Sequence, residues 1–250
     1  MVFPDAKILD VDLTNGKIEK KTIPGEVYRR YPGGSSLGLY ILLNEMDPKV
    51  DPLSPENILV LSVSPLVGFP ISGANRMTST TKSPLTNTVG DSQAGGFFPS
   101  YLKGNGWDAV VFRGKAEKPV YLYIDGEKAE LKDGANVWGK VTGEAEEIIR
   151  EELGEDRIDI AQIGPGGENL VKYACIINMC NRANGRNGTG AVMGSKNVKA
   201  IAVKKRLGRK PADKEGFKAL VGSIKERLEN NLDVQAMGVH GTDVDLEGFS

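Results

Sequence analysis

Two stretches of the sequence combine arginine with small residues. In "NRANGRNGTGAVMGSKN", residues 181–197, four glycines stand among three basic residues, and Arg182 and Arg186 bracket Ala183, Asn184 and Gly185. In "GANRMTSTTKSPLTNTVGDSQAGGFF", Arg76 opens a Ser/Thr-rich run, and Gln93 and Ala94 later precede the pair Gly95 and Gly96. Glycine lets backbone approach a ligand closely, and a guanidinium fork grips phosphate oxygens bidentately. Each stretch alone has a plainer reading: a surface turn with solvated arginines, an edge-strand charge at Arg76, a turn cap at Gln93. Two such stretches in one chain tip the balance toward an anion site.

The usual phosphate motifs do not account for them. "GTGAVMG" loosely fits a dinucleotide fingerprint, but that motif opens a crossover helix whose N-terminus meets the pyrophosphate. Here the apolar run "VKAIAVKK" follows almost at once, and the glycine-rich segment reads as too irregular for a helix. A P-loop needs Gly-Lys-Ser/Thr, where this chain has "GSKN". Cys175 and Cys180, five apart, match neither a redox pair nor a zinc or iron-sulfur ligand set, and read as reduced cysteines in a packed segment. The single histidine, His240, cannot build a metal site or a triad by itself.

The elements that must position the arginines are mostly strands. "AKILDVDLTNGKIEKKTI" alternates on both sides of Asn15 and Gly16, which predicts a type I′ hairpin, and "PVYLYIDGEKAELKD" repeats the pattern around Asp125 and Gly126. "NILVLSVSP", "DAVVFRG", "IDIAQIG" and "VKAIAVKK" are β-branched or apolar runs bounded by Gly, Pro or charge. "SSLGLYILLNEM" and "TGEAEEIIREELGE" predict helices with Ser or Thr at the N-cap. After Asp213, the stripe Phe217, Leu220, Val221, Ile224 and Leu228 predicts an amphipathic helix whose apolar face needs a partner. The linker "KRLGRKPAD" puts a domain boundary near residue 207. The expected organisation is α+β: a strand-rich domain over 1–207, then a linker and first helix over 208–250. The short tail "VHGTDVDLEGFS" behind that helix suggests a piece of a longer protein.

Composition narrows the classes. With 250 residues, 40% of them hydrophobic, the chain can bury a sizeable core. Its 32 basic residues against 33 acidic give a net charge of -1, no general attraction to nucleic acid or an acidic membrane, so an anion site must be local. Neither a leader pattern nor a run near the ~20 apolar residues of a membrane span is present, and a cytoplasmic location is expected.

The segments "GGENLVKYACIINMCNRANGRNGTGAVMGSKNVKAIAV", "MDPKVDPLSPEN", "TKSPLTN" and "FRGKAEKPVYLYI" resemble the N-terminal domain of the tungsten-containing aldehyde ferredoxin oxidoreductases, over residues 6–240. The resemblance implies a base of two β-sheets on which a tungsten, or molybdenum, bis-pterin lies. It implies that Arg76 contacts a pterin phosphate, that Gln93, Ala94, Gly95 and Gly96 line the cofactor from one side, and that Arg182, Ala183, Gly185 and Arg186 line it from the other. It further implies a Mg2+ bridging the two phosphates through main-chain carbonyls of Gln93 and Ala183, a hard cation choosing oxygen. The chain departs from the family pattern in Gln93 for Asn, in the missing arginine after the glycines of "GGSSLG", and in Asn184 and Asn187 where Ala and Gly are usual. The family's [4Fe-4S] ligands, and the acidic residues and histidine near the metal, have no counterpart in this chain.

The activity so implied is oxidation of an aldehyde to its acid with ferredoxin as electron acceptor, within a homodimer or hetero-oligomer. No residue in this chain is assigned to acid-base catalysis. "FRGKAEKPVYLYI" and "NRMTSTTKSP" also resemble the branch that reduces benzoyl-coenzyme A. A reading of another class is a non-catalytic module that holds a phosphorylated ligand or a partner subunit.

Overall fold

A computed structural model describes residues 3–206 and 209–241. Its strands fall into two six-stranded mixed sheets, one from each half of the strand-rich chain. The first holds β1 (Ala6–Asp12), β2 (Lys17–Ile23), β3 (Leu59–Val63), β4 (Arg76–Lys82), β5 (Val89–Gly95) and β6 (Ala109–Arg113), in the order β2-β1-β6-β3-β4-β5. The second holds β7 (Val120–Asp125), β8 (Lys128–Asp133), β9 (Ile158–Gln162), β10 (Ile176–Asn178), β11 (Arg182–Asn184) and β12 (Val198–Lys204), in the order β11-β10-β9-β12-β7-β8. Only β1 with β6 and β7 with β12 pair in parallel; the other neighbours are antiparallel.

The near-continuous apolar strands have a reason: both faces of each sheet are covered. Leu9, Val11, Leu61, Val110 and Phe112 of the first sheet meet Leu122, Ile124, Ile201 and Val203 of the second in one buried core. The alternate residues Ile8, Val60, Ala109 and Val111 face outward against Leu37, Ile41 and Leu42 of a helix. On the far side of the second sheet, Tyr121, Ile160, Ala200 and Ala202 meet Ala145 and Ile149 of another. Period-two sorting along each strand therefore builds helix, sheet, sheet and helix in layers.

Helices α1 (Gly25–Arg30), α2 (Gly34–Glu45), α3 (Phe98–Gly104), α4 (Thr142–Leu153), α5 (Pro165–Glu168), α6 (Thr189–Ser195), α7 (Lys214–Glu229) and α8 (Leu232–His240) complete the described elements. The expected long helices form, but α2 and α4 start from Gly33 and Val141 with no side-chain cap, so the Ser/Thr caps were misplaced. The hairpin at Asn15 is not the two-residue turn its sequence predicts. Asp12 draws in the amides of Thr14 (3.0 Å) and Asn15 (3.2 Å), giving a four-residue loop in which Gly16 alone has positive φ. The β7–β8 hairpin has its two-residue loop, with Gly126 at the first central position as a type II′ turn requires.

The larger surprise is α6, since the sequence reads there as irregular. Gly190 and Gly194 are why it forms: a Cβ at either would strike the backbone of Cys175 or Gly167, so the glycines let a fully buried helix press on neighbouring chain.

The described residues divide into two compact units, one up to Gly68 and from Gly73 to 206, the other Phe69–Ser72 and the residues from Arg209 on. The expected boundary at 207–208 lies outside the described residues. In the second unit, Asp213 caps α7 by accepting from the Gly216 amide (2.9 Å), and the Phe69 and Phe217 rings lie 5.3 Å apart. No residue of α7 or α8 is buried.

Candidate functional site

The first arginine segment is a strand pair. In the β4–β5 register Arg76 stands opposite Gly95, Met77 opposite Ala94 and Thr78 opposite Gln93. Alternation along β5 buries Ser92 and Ala94 and turns Gln93 outward. At Gly96 φ is +124°, a region closed to side-chain-bearing residues, and a Cβ there would run into Asn178. The second segment is the β10–β11 hairpin. Its turn carries Met179 and Cys180, both at positive φ (51° and 54°), with the Asn181 amide donating to the Asn178 carbonyl (3.2 Å). That backbone is one for which Asn-Gly is the ordinary choice. Past the turn, Arg182 stands opposite Asn178 and Ala183 opposite Ile177.

Between the end of β5 and this hairpin lies a cavity of about 580 Å³. Arg76, Gln93, Ala94, Gly95, Gly96, Arg182 and Ala183 all line it, as expected together, and Phe97, Met179 and Asn181 complete the wall. Gly185 and Arg186 are not in that wall. The Gly185 carbonyl instead accepts from Ser92 Oγ (2.7 Å), and Arg186, at φ +73°, is exposed outside it. Among the described residues, no carboxylate lines the cavity, and neither Arg76 nor Arg182 makes an ion pair or side-chain hydrogen bond. Two uncompensated guanidiniums over a glycine rim suit a polyanion, and phosphate above all.

Where the two sheets approach, their chains are tied. Asn184 Nδ2 donates to the carbonyls of Ser92 (2.6 Å) and Met77 (3.3 Å), while Ser92 Oγ donates back to Gly185. Asn187 Nδ2 donates to the Asp91 carbonyl (2.7 Å), and Ser83 Oγ to the Asn187 carbonyl (2.8 Å). Asn184 and Asn187, the departures from the family pattern, are thus the residues that reach across. Gln93 Nε2 is 3.4 Å from Ser35 Oγ, which brings the "GGSSLG" segment to the site even without an arginine.

Several features fit a phosphorylated cofactor with a bound cation. Asn178 is fully buried, and both its amide atoms lack a partner among the described residues, directly beside Gly96 and the cavity. Such a group costs about 1–3 kcal/mol unless something satisfies it. Gln93 and Ala183, whose carbonyls are expected to hold Mg2+, share the one cavity. No cluster of three acidic, Cys or His residues fit for a metal occurs among the described residues, so a cation here would depend on carbonyl and phosphate oxygens.

A second cavity of about 270 Å³ shares Phe97 and Met179 with the first and is lined also by Glu146, Asp159 and Cys180. Burial pushes Asp159 up to about 6. Burial, then the Glu146 carboxylate, pushes the Cys180 thiol up to about 11, which makes it a poor nucleophile. Both cysteines are free, but Cys180 is exposed rather than packed. No helix of the described residues is long and apolar enough to cross a membrane.

Residues 8–205 match the family described as "Aldehyde ferredoxin oxidoreductase, N-terminal domain". A tungsten-containing aldehyde ferredoxin oxidoreductase of Pyrococcus abyssi is 45% identical over 225 residues, covering 90% of this chain and 37% of the relative. An aliphatic sulfonate oxidoreductase, WOR-like subunit, of Pyrococcus furiosus is 36% identical over 241 residues, covering 90% of this chain and 38% of that one. Among solved structures, the active site complex BamBC of benzoyl coenzyme A reductase with 1,5-dienoyl-CoA superposes with a TM-score of 0.86 at 38% identity, covering 90% of this chain and 34% of that chain. The chain therefore spans little over a third of the length of the curated relatives it matches.

Proposed function

This chain belongs to the aldehyde ferredoxin oxidoreductase family, as its N-terminal domain, and from that premise we propose that it is the cofactor base of an oxidoreductase. The cofactor would be a tungsten, or molybdenum, bis-pterin accompanied by Mg2+. Its reaction is oxidation of an aldehyde to a carboxylic acid with ferredoxin as acceptor. When bound, the metal centre supplies the two-electron chemistry, and the protein supplies position and charge. Arg76 and Arg182, unpaired and contributed by different sheets, would neutralise the cofactor's phosphate oxygens. Gly95 and Gly96 let the rim come up against the ligand, and the carbonyls of Gln93 and Ala183, both of which line the cavity, would offer hard oxygen to a cation. A [4Fe-4S] cluster would take its ligands from outside this chain.

The observation that carries the reading is the convergence of two unpaired arginines and the Gly95–Gly96 rim on one cavity free of carboxylates among the described residues. Likeness to the benzoyl coenzyme A reductase complex supports a second reading, a subunit that reduces an aromatic thioester on the same cofactor base. A non-catalytic module that binds a phosphorylated ligand is the reading of a different class. The test is elemental and pterin analysis of the complete gene product, purified anaerobically from cells given tungstate and molybdate, with aldehyde and benzoyl-CoA offered in turn. Tungsten or molybdenum with pterin supports the cofactor base, and turnover of one substrate chooses between the two enzymes. A folded protein with neither metal nor pterin leaves the binding module.

A further inference from the structure

The ties between the sheets are placed in a telling way. Ser92 and Asn184 are each the immediate neighbour of a residue expected to offer a carbonyl to the cation, Gln93 on one side and Ala183 on the other. Their bonds are reciprocal: the Asn184 side chain donates to the Ser92 carbonyl (2.6 Å), and the Ser92 side chain donates to the carbonyl of Gly185, next to Asn184 (2.7 Å). Strand alternation makes this effective. Ser92 and Asn184 are buried while their immediate neighbours Gln93 and Ala183 are exposed, so the inward residues can be fastened while those neighbours face the ligand. The two segments lie 92 positions apart in the chain and in different sheets, and no ladder hydrogen bond joins β5 to β11. The side chains therefore hold the gap. Asn187 and Ser83 extend the same seam away from the cavity.

We propose that Asn184 and Ser92 are positioning residues that set the separation between the Gln93 and Ala183 carbonyls, and through it which divalent cation and phosphate pair the cradle accepts. The inference rests on the phosphate-cation reading of the cavity and adds a selectivity to it. Magnesium demands oxygen ligands at about 2.0–2.1 Å in near-ideal octahedral geometry, whereas calcium takes about 2.3–2.6 Å and tolerates irregularity. Magnesium, with the stricter geometry, is therefore the ion that depends more on a gap fixed before binding. A loosened one stops discriminating.

The test uses ADP as a soluble diphosphate, with adenosine as the blank, titrated calorimetrically into the 250-residue chain with Mg2+ or Ca2+. Asn184→Ala and Ser92→Ala are each expected to weaken Mg-ADP binding about tenfold while changing Ca-ADP less than threefold. Because the bonds are reciprocal, the double variant should lose little more than either single one, and Ser92→Thr, which keeps the hydroxyl, should restore most of the preference. Parallel loss with both ions, or no loss with either at unchanged melting temperature, overturns the proposal. If the wild-type chain binds neither complex, the phosphate reading falls first. Amide exchange at 93–96 and 182–186 then decides the positioning role: Asn184→Ala must accelerate both segments together, and acceleration of one alone or of neither overturns it.

Discussion

The two ends of the β10–β11 hairpin obey opposite rules. At the seam, Asn184 spends its amide donor on two backbone carbonyls of the other sheet and Ser92 answers, leaving only the Asn184 Oδ1 without a partner among the described residues. At the turn, Asn178 is as deeply buried and has no partner for either amide atom among the described residues, and Met179 and Cys180 hold a backbone that suits Asn and Gly. One end is built for stability. The other leaves polar capacity and backbone strain beside the cavity, which is where proteins tend to break local rules for a ligand. One short hairpin thus carries a tethered side at Asn184 and an unsatisfied ligand side at Asn178.

The largest effect is expected at Asp159, which lines the second cavity with Met179 and Cys180 at the turn end. Its carboxyl is pushed from 3.8 to about 6 chiefly by burial, so the folded chain holds a proton that the unfolded chain has released between those values. Stability should fall as pH rises through that window, by about 3 kcal/mol in all at roughly 1.4 kcal/mol per unit. Urea unfolding of wild type and Asp159→Asn across pH 3.5–7.5 should show the wild type losing ground to the variant by that amount. Asn184→Leu comes next: it removes the inter-sheet donor from the Ser92 and Met77 carbonyls, leaving Ser92 only the longer bond from Ser79 Oγ, and should cost about 2 kcal/mol by the same assay. Asn178→Leu should do the reverse, gaining about 1 kcal/mol because an unsatisfied amide is replaced by apolar bulk. Equal losses at 184 and 178 would erase the distinction between the two ends. Smallest, replacing Met179 and Cys180 by Asn and Gly should stabilise by about 0.5–1 kcal/mol, read as a rise in melting temperature.

Much of this was legible in the sequence because it rests on local signals. Alternation and β-branching gave nearly every long strand, and the arginine-glycine spacing picked out most of the cavity wall. What stayed hidden depends on distant chain. Strands β10 and β11 are three residues each, joined by Met179, Cys180 and Asn181, and the two residues at positive φ are Met and Cys rather than the Gly or Asn that would announce a turn. Helix α6 reads as loop because its glycines serve packing on Gly167 and Cys175 rather than flexibility. Asn184 and Asn187 could be flagged only as unusual; their role needs partners 92 and 96 residues away. Arg186 followed from bracketing Gly185 with Arg182, but its left-handed φ and the Gly185–Ser92 bond leave it outside the cavity.

The central claim is that Arg76 and Arg182 hold a phosphorylated cofactor between the sheets. The measurement that meets it most directly is the tungsten, molybdenum and pterin content of the complete gene product beside its Arg76→Ala/Arg182→Ala variant, both purified anaerobically and checked for folding by circular dichroism. The account expects a folded variant stripped of metal and pterin, since both arginines are exposed and stabilise nothing else among the described residues. Full cofactor retention in that folded variant would contradict it.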